Sequence, residues 1–150
     1  MSMLRVVIDT NVLIEGAKDP HSFQVRIMRL ALAGELQPLL SPRTLREHER
    51  LIERLVVEDE YRTLLQNFLE QAETVQPSVD TVREATGASS DREDDKFLSL
   101  AKEGDADYII TRDNDLLELE TYGETEITTP ERFWNTYQEV AGSTVRALGY

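Results

Sequence analysis

The sequence predicts an α/β fold on a central parallel sheet, and three observations predict it. Short β-branched runs alternate with amphipathic helical stretches along the chain. The two clearest runs, Leu4–Ile8 (LRVVI) and 108–111 (YIIT), are dominated by apolar residues, as strands covered on both faces must be. Both are followed closely by acids, Asp9 and Asp113, at the strand ends where an open parallel sheet forms its ligand crevice.

The elements follow in order. After the first strand, Asp19-Pro20-His21-Ser22 breaks the chain, and Ser22 can cap a helix with Phe23, Ile27, Leu30 and Ala31 on one face. Gly34 ends it, and Leu36–Leu40 reads as a second strand. Ser41 then caps another helix with Pro42 at its first position. This helix carries Leu45, Ile52 and Leu55, and the next carries Tyr61, Leu64, Leu65, Phe68, Leu69 and Ala72, together a helical hairpin whose stripe reads as core. Residues 86–91 (TGASSD) form a loop, and Asp91 or Ser90 caps a helix over 93–103 that Gly104 stops. The strand at 108–111 follows, then a short helix at 116–119 and a last strand at 126–128. Thr129-Pro130-Glu131 opens a final helix through Phe133, Trp134 and Tyr137. Residues 1–140 read as one domain and 141–150 as a C-terminal tail without a clear pattern.

Composition narrows the chemistry. A chain of 150 residues that is 40% hydrophobic can bury one sizeable core. It shows neither a membrane-spanning apolar run nor a signal-peptide pattern. With no cysteine there is no disulfide framework, thiolate nucleophile or sulfur-bound zinc, and His21 and His48 alone argue against a histidine-rich metal centre. Carboxylates are the available tools. The net charge of −13 repels polyanions at long range. An acidic, lysine-poor surface also fits plain solubility or adaptation to salt.

The plain alternative for Asp9 and Asp113 is that each caps the helix after it. Three further acids are candidates for the site. Glu47 lies on the second turn of the helix that starts beside strand two. Asp94 and Asp95 stand in the first turn of the 93–103 helix, Asp94 on the face of Leu98 and Ala101. A carboxylate at the edge of a buried stripe needs a positive partner, which other acids cannot supply and a divalent cation can. Mg²⁺ and Mn²⁺ take oxygen ligands, ease deprotonation of a bound water and stabilise charge on a phosphoryl oxygen.

At this point the sequence resembles the PIN-domain family of metal-dependent ribonucleases, most closely its VapC-like branch of toxins from toxin–antitoxin systems. The resemblance rests on VVIDTNVLI, LSPRTLREHE, DDKFLSLAKEGDADYIITRDNDLL and ITTPERF, in family order, and spans residues 4–133. It implies a three-layer α/β/α domain with a mainly parallel sheet of four or five strands. It also implies catalysis by Asp9, Glu47, Asp94 and Asp113 around Mg²⁺ or Mn²⁺, with Asp95 as the alternative third ligand and Asp115 as holder of a second metal through water. Thr10, Asn11, Ser41 and Thr111 would orient that site. The substrate would be RNA, the partner a small antitoxin that covers the crevice, the assembly a homodimer, and the location cytoplasmic. The chain departs from the family pattern at Glu15, at His48 and at Asp91-Arg92-Glu93, none of which removes an expected ligand.

Against the acidic net charge stand Arg43, Arg46 and Arg50 along the helix of Glu47, with Lys96 and Arg112 beside other expected ligands. They are candidates for phosphate contacts, and ordinary helix solubility explains them equally well. Rival readings are a noncatalytic interaction module that docks a partner on the 61–72 helix, an aspartyl phosphatase and a phospho-receiver. A phosphatase needs a second Asp where Asn11 stands. A receiver needs an early acidic pair and a late strand-end lysine, and both are missing.

Overall fold

A computed structural model describes residues 3–147, with side chains described as far as Val140. The chain runs β1 (Leu4–Ile8), α1 (Thr10–Glu15), α2 (Phe23–Leu32), β2 (Leu36–Leu40), α3 (Pro42–Leu55), α4 (Asp59–Gln71), β3 (Glu73–Thr74), α5 (Val79–Ala85), α6 (Asp95–Glu103), β4 (Tyr108–Ile110), α7 (Asn114–Leu117), β5 (Thr121–Tyr122), β6 (Thr125–Thr128) and α8 (Pro130–Ala147). The sheet order is β3-β2-β1-β4-β6-β5. All neighbours are parallel except β5 and β6, which form an antiparallel ribbon.

The pleat of β1 explains the layers. Val6 and Ile8 point into a core with Val25 and Met28 of α2, Ile52 of α3, Leu65 and Phe68 of α4 and Phe133 of α8. Val7 points the other way, against Phe97, Leu98 and Ala101 of α6, Ala85 of α5 and Ile127 of β6. A sheet covered on both faces is why its central strands read as unbroken apolar runs. Tyr61, Leu65 and Phe68 of the expected stripe are buried in the first core, so that stripe serves packing.

The sheet has six strands rather than four or five. The additional β3 and β5 are two residues each, too short to leave an alternating pattern. Helix α1 is expected only in the alternative that Asp9 caps a helix, and α5 is not expected from the sequence. At six and seven residues each is under two turns, below the length at which a 3.6-residue period is legible. The helix expected from residue 93 is preceded by a 3₁₀ turn, Arg92–Asp94, and its α-helical part starts at Asp95. Gly34 ends α2 with φ of +80°, a conformation open to glycine at little cost. Helix α8 continues to Ala147, past the start of the tail expected from residue 141, and residues 148–150 of that tail lie outside the described residues.

Candidate functional site

The two central strands deliver the first pair of acids. Asp9 follows β1 and caps α1, accepting the Asn11 backbone N–H at 3.4 Å. Asp113 caps α7 in the same way, accepting the Asp115 N–H at 2.9 Å. The capping alternative is therefore correct for both, and it is compatible with a second role. A carboxylate has about four lone-pair sites, and a cap uses one. Fully buried Thr111 ties the two strand ends together: its hydroxyl donates to Asp9 Oδ2 at 2.8 Å and accepts the Asp113 N–H at 3.0 Å.

Asp94 joins them from the far side of the crevice. It is 6% exposed, and its carboxyl lies within hydrogen-bonding reach of Asp113. Burial first, and then Asp113, Asp91 and Asp9, push its pKa up to about 7. Ligand oxygens of Asp91, Asp94, Asp113 and Asp115 all lie within 4.8 Å of one another. Asp9 borders this group: burial raises its pKa, Thr111 and Asn11 lower it, and Asp113 and Glu47 raise it again, with a net rise. Asp9, Glu47, Asp94 and Asp113 therefore share one side of the molecule.

Glu47 stands differently. Thr10 Oγ1 donates to its Oε2 at 2.6 Å, and Lys96 Nζ lies 2.9 Å from its Oε1. Burial alone would raise the pKa of Glu47, but these two partners outweigh it and hold it below the usual glutamate value. Thr10 Oγ1 is also 2.7 Å from Nδ1 of buried His48. Desolvation pushes the His48 pKa down to about 4, so its ring is neutral at neutral pH.

The other expected site residues fall as follows. Asp95 is turned away from the cluster, accepting the backbone N–H groups of Gly87 at 2.8 Å and Ser89 at 3.4 Å. Of the adjacent pair, Asp94 is the one that reaches the other acids. Buried Ser41 forms a capping box with Thr44, which sets the start of α3 and hence the height of Glu47. Arg43, Arg46 and Arg50 are exposed and line a basin of about 380 Å³ together with Glu47, Glu93 and Lys96. Arg112 is paired to Glu15 at 2.8 Å and also to Glu131, which answers the extra negative charge of Glu15. The sequence alone marks Asp91 as a candidate helix cap and not as a member of the cluster. Its signal is the spacing Asp-x-x-Asp across a 3₁₀ turn, where residues three apart eclipse.

The donor set fits a hard divalent cation. Asp94 and Asp113 face each other with no Lys or Arg in ion-pair reach among the described residues, so a proton or a cation must separate their charges. Clustered aspartate oxygens are the ligands that Mg²⁺ and Mn²⁺ prefer.

Fold and site together define an α/β domain with an acid-lined crevice at the carboxyl ends of its central strands. The family model of the PIN domain matches residues 5–115, most of the chain, and the chain belongs to the PIN-domain family. No curated protein matches the sequence. Among solved structures, one similar chain comes from VapBC2 of Rickettsia felis bound to a DNA fragment from their promoter, at 14% identity and a TM-score of 0.58, covering 83% of this chain and 97% of that one. Another is PAE2754 from Pyrobaculum aerophilum, at 15% identity and a TM-score of 0.57, covering 88% of both chains. At these identities the likeness is one of fold. Among the described residues, no helix is long and apolar enough to cross a membrane.

Proposed function

We propose that the protein is a Mg²⁺- or Mn²⁺-dependent endoribonuclease that hydrolyses RNA phosphodiester bonds. The observation that carries this reading is the convergence of Asp91, Asp94, Asp113 and Asp115, with ligand oxygens within 4.8 Å, beside the strand-end carboxylate of Asp9. These residues would hold the ion. When bound, it supplies an activated water and stabilises charge on the phosphoryl oxygens. Thr111 ties the Asp9 carboxylate to the Asp113 backbone N–H, and so links the two strand ends that carry the acids. Glu47 is the remaining acid of the catalytic set, aimed by Thr10 and Lys96. Arg43, Arg46 and Arg50 would meet phosphates flanking the reacting one, which lets a chain of net charge −13 engage a polyanion locally.

The fold shared with a chain of VapBC2 supports a toxin of a type II toxin–antitoxin pair. Its partner would be a small antitoxin covering the crevice, with an Arg inserted among the acids. The working form would be a cytoplasmic homodimer. Residues 1–140 would carry the nuclease, and 141–150, which begin inside α8, would extend it as a tail.

The test is a cleavage screen on varied RNAs with Mg²⁺, Mn²⁺ or EDTA, using Asp9→Asn and Asp113→Asn as controls. Metal-dependent cleavage that both variants lose supports the reading. Cleavage that persists in EDTA or in both variants refutes it.

A further inference from the structure

We propose that Lys96 is a positioning residue that keeps Glu47 out of the metal-binding set, so that the chain holds a single divalent ion on aspartates. This rests on the metal-dependent reading above and deepens it.

The acids of the crevice divide into two kinds. Asp9, Asp91, Asp94, Asp113 and Asp115 have no Lys or Arg nitrogen in ion-pair reach among the described residues. Glu47 has one, at 2.9 Å. Its two oxygens are separately engaged, Oε1 by Lys96 and Oε2 by the Thr10 hydroxyl.

The Lys96 ammonium is itself confined. Its side chain is 6% exposed, it donates to the Glu93 carbonyl at 2.6 Å, and it lies 5.2 Å from the centroid of the Phe97 ring. Glu93 offers a carboxylate at 3.6 Å, but that group is 82% exposed and heavily solvated. If Glu47 turned to a dication, a buried ammonium would lose its near counter-ion and face a second positive charge. Lys96 thus supplies the positive charge that Glu47 requires, and the aspartates are left to the metal.

The pair has a use on its other side. Glu47 and Lys96 both line the basin that carries Arg43, Arg46 and Arg50. Glu47 holds the ammonium at that basin, so loss of Glu47 should weaken RNA binding more than metal binding.

The experiment is Mn²⁺ titration of the full chain by calorimetry, with bound ion counted by electron paramagnetic resonance. The wild type should bind one Mn²⁺ per chain. Glu47→Gln should leave the Mn²⁺ affinity within about twofold, while Asp113→Asn should weaken it by at least the roughly 10- to 100-fold that loss of even an outer partner of a ligand costs. Lys96→Met, which frees Glu47, should add a second Mn²⁺, and Lys96→Arg should restore a single one. Two Mn²⁺ on the wild type, or Glu47→Gln as damaging as Asp113→Asn, overturns the inference while the metal-dependent nuclease reading stands. A wild type that binds no Mn²⁺ overturns both. If Lys96→Met does not fold, Glu47→Gln against Asp113→Asn decides alone.

Discussion

The Thr10 hydroxyl lies 2.7 Å from Nδ1 of His48 and 2.6 Å from Oε2 of Glu47. A hydroxyl has one proton, and the carboxylate, an acceptor only, takes it. Nδ1 of His48 must then be the donor, so the ring is the neutral Nδ1–H tautomer. Nitrogen-correlated NMR should show that tautomer, still uncharged at pH 5.5.

The same burial sets a pH dependence. His48 has a folded pKa of about 4 against an ordinary 6.5, so between these values the unfolded chain binds the extra proton. Its contribution to stability is complete above pH 6.5 and is lost as pH falls toward 4. Replacing His48 by Gln should remove this dependence, measured by urea denaturation at pH 5 and pH 7.

Asp94 acts in the opposite sense. Its folded pKa of about 7 lies above the ordinary 3.8, so the folded chain holds the extra proton. Metal-free stability attributable to Asp94 is present below pH 3.8 and lost as pH rises through 7. Between pH 4 and 6.5 the two residues offset each other, and the variants separate them. Metal-free Asp94→Asn should lose the decline toward pH 7 and expose the His48 rise. Added Mn²⁺ should raise the melting temperature of the wild type at pH 7.5 and that of Asp94→Asn far less. An equal rise in both would mean that Asp94 is not a ligand.

Much of the fold could be read from the residues, because its carriers are long and regular. The apolar runs of β1, β2 and β4, the caps at Ser22 and Ser41 and the helix start at Pro130 appear where the pattern puts them. What escaped is short: β3, β5 and α5 draw their order from neighbours rather than from a period of their own. In the site, the strand-end acids Asp9 and Asp113 were legible from local sequence. The partner of Glu47 was not, because Lys96 lies forty-nine positions away on another helix and reads as a surface charge. Only the packing of α3 against α6 turns it inward.

Thr111 tests how closely the strand ends must be coupled. Its methyl and hydroxyl are fully buried, and the hydroxyl serves Asp9 and the Asp113 N–H at once. Thr111→Val keeps the shape and strands both partners. It should cost about 1–3 kcal/mol of stability in chemical denaturation, and it should weaken Mn²⁺ binding. Thr111→Ser, which retains the hydroxyl, should recover most of both.

The arginine face of α3 makes a prediction that its solubility alternative does not. Arg43, Arg46 and Arg50 are exposed and have no carboxylate in ion-pair reach among the described residues, so their removal should leave stability nearly unchanged. Against RNA they should count individually. Each phosphate contact releases a counter-ion, and for a single strand the slope of log K against log salt changes by roughly 0.7 per contact. With Asp113→Asn as background to suppress cleavage, Arg46→Gln should weaken single-stranded RNA binding and flatten that slope by about 0.7. The triple replacement should flatten it by about 2. At a net charge of −13 the whole protein repels RNA, and added salt relieves that repulsion while it weakens the local contacts. Losing the arginines should therefore leave a shallow or even inverted salt dependence. An unchanged slope in the triple variant would return these side chains to the role of solvated surface.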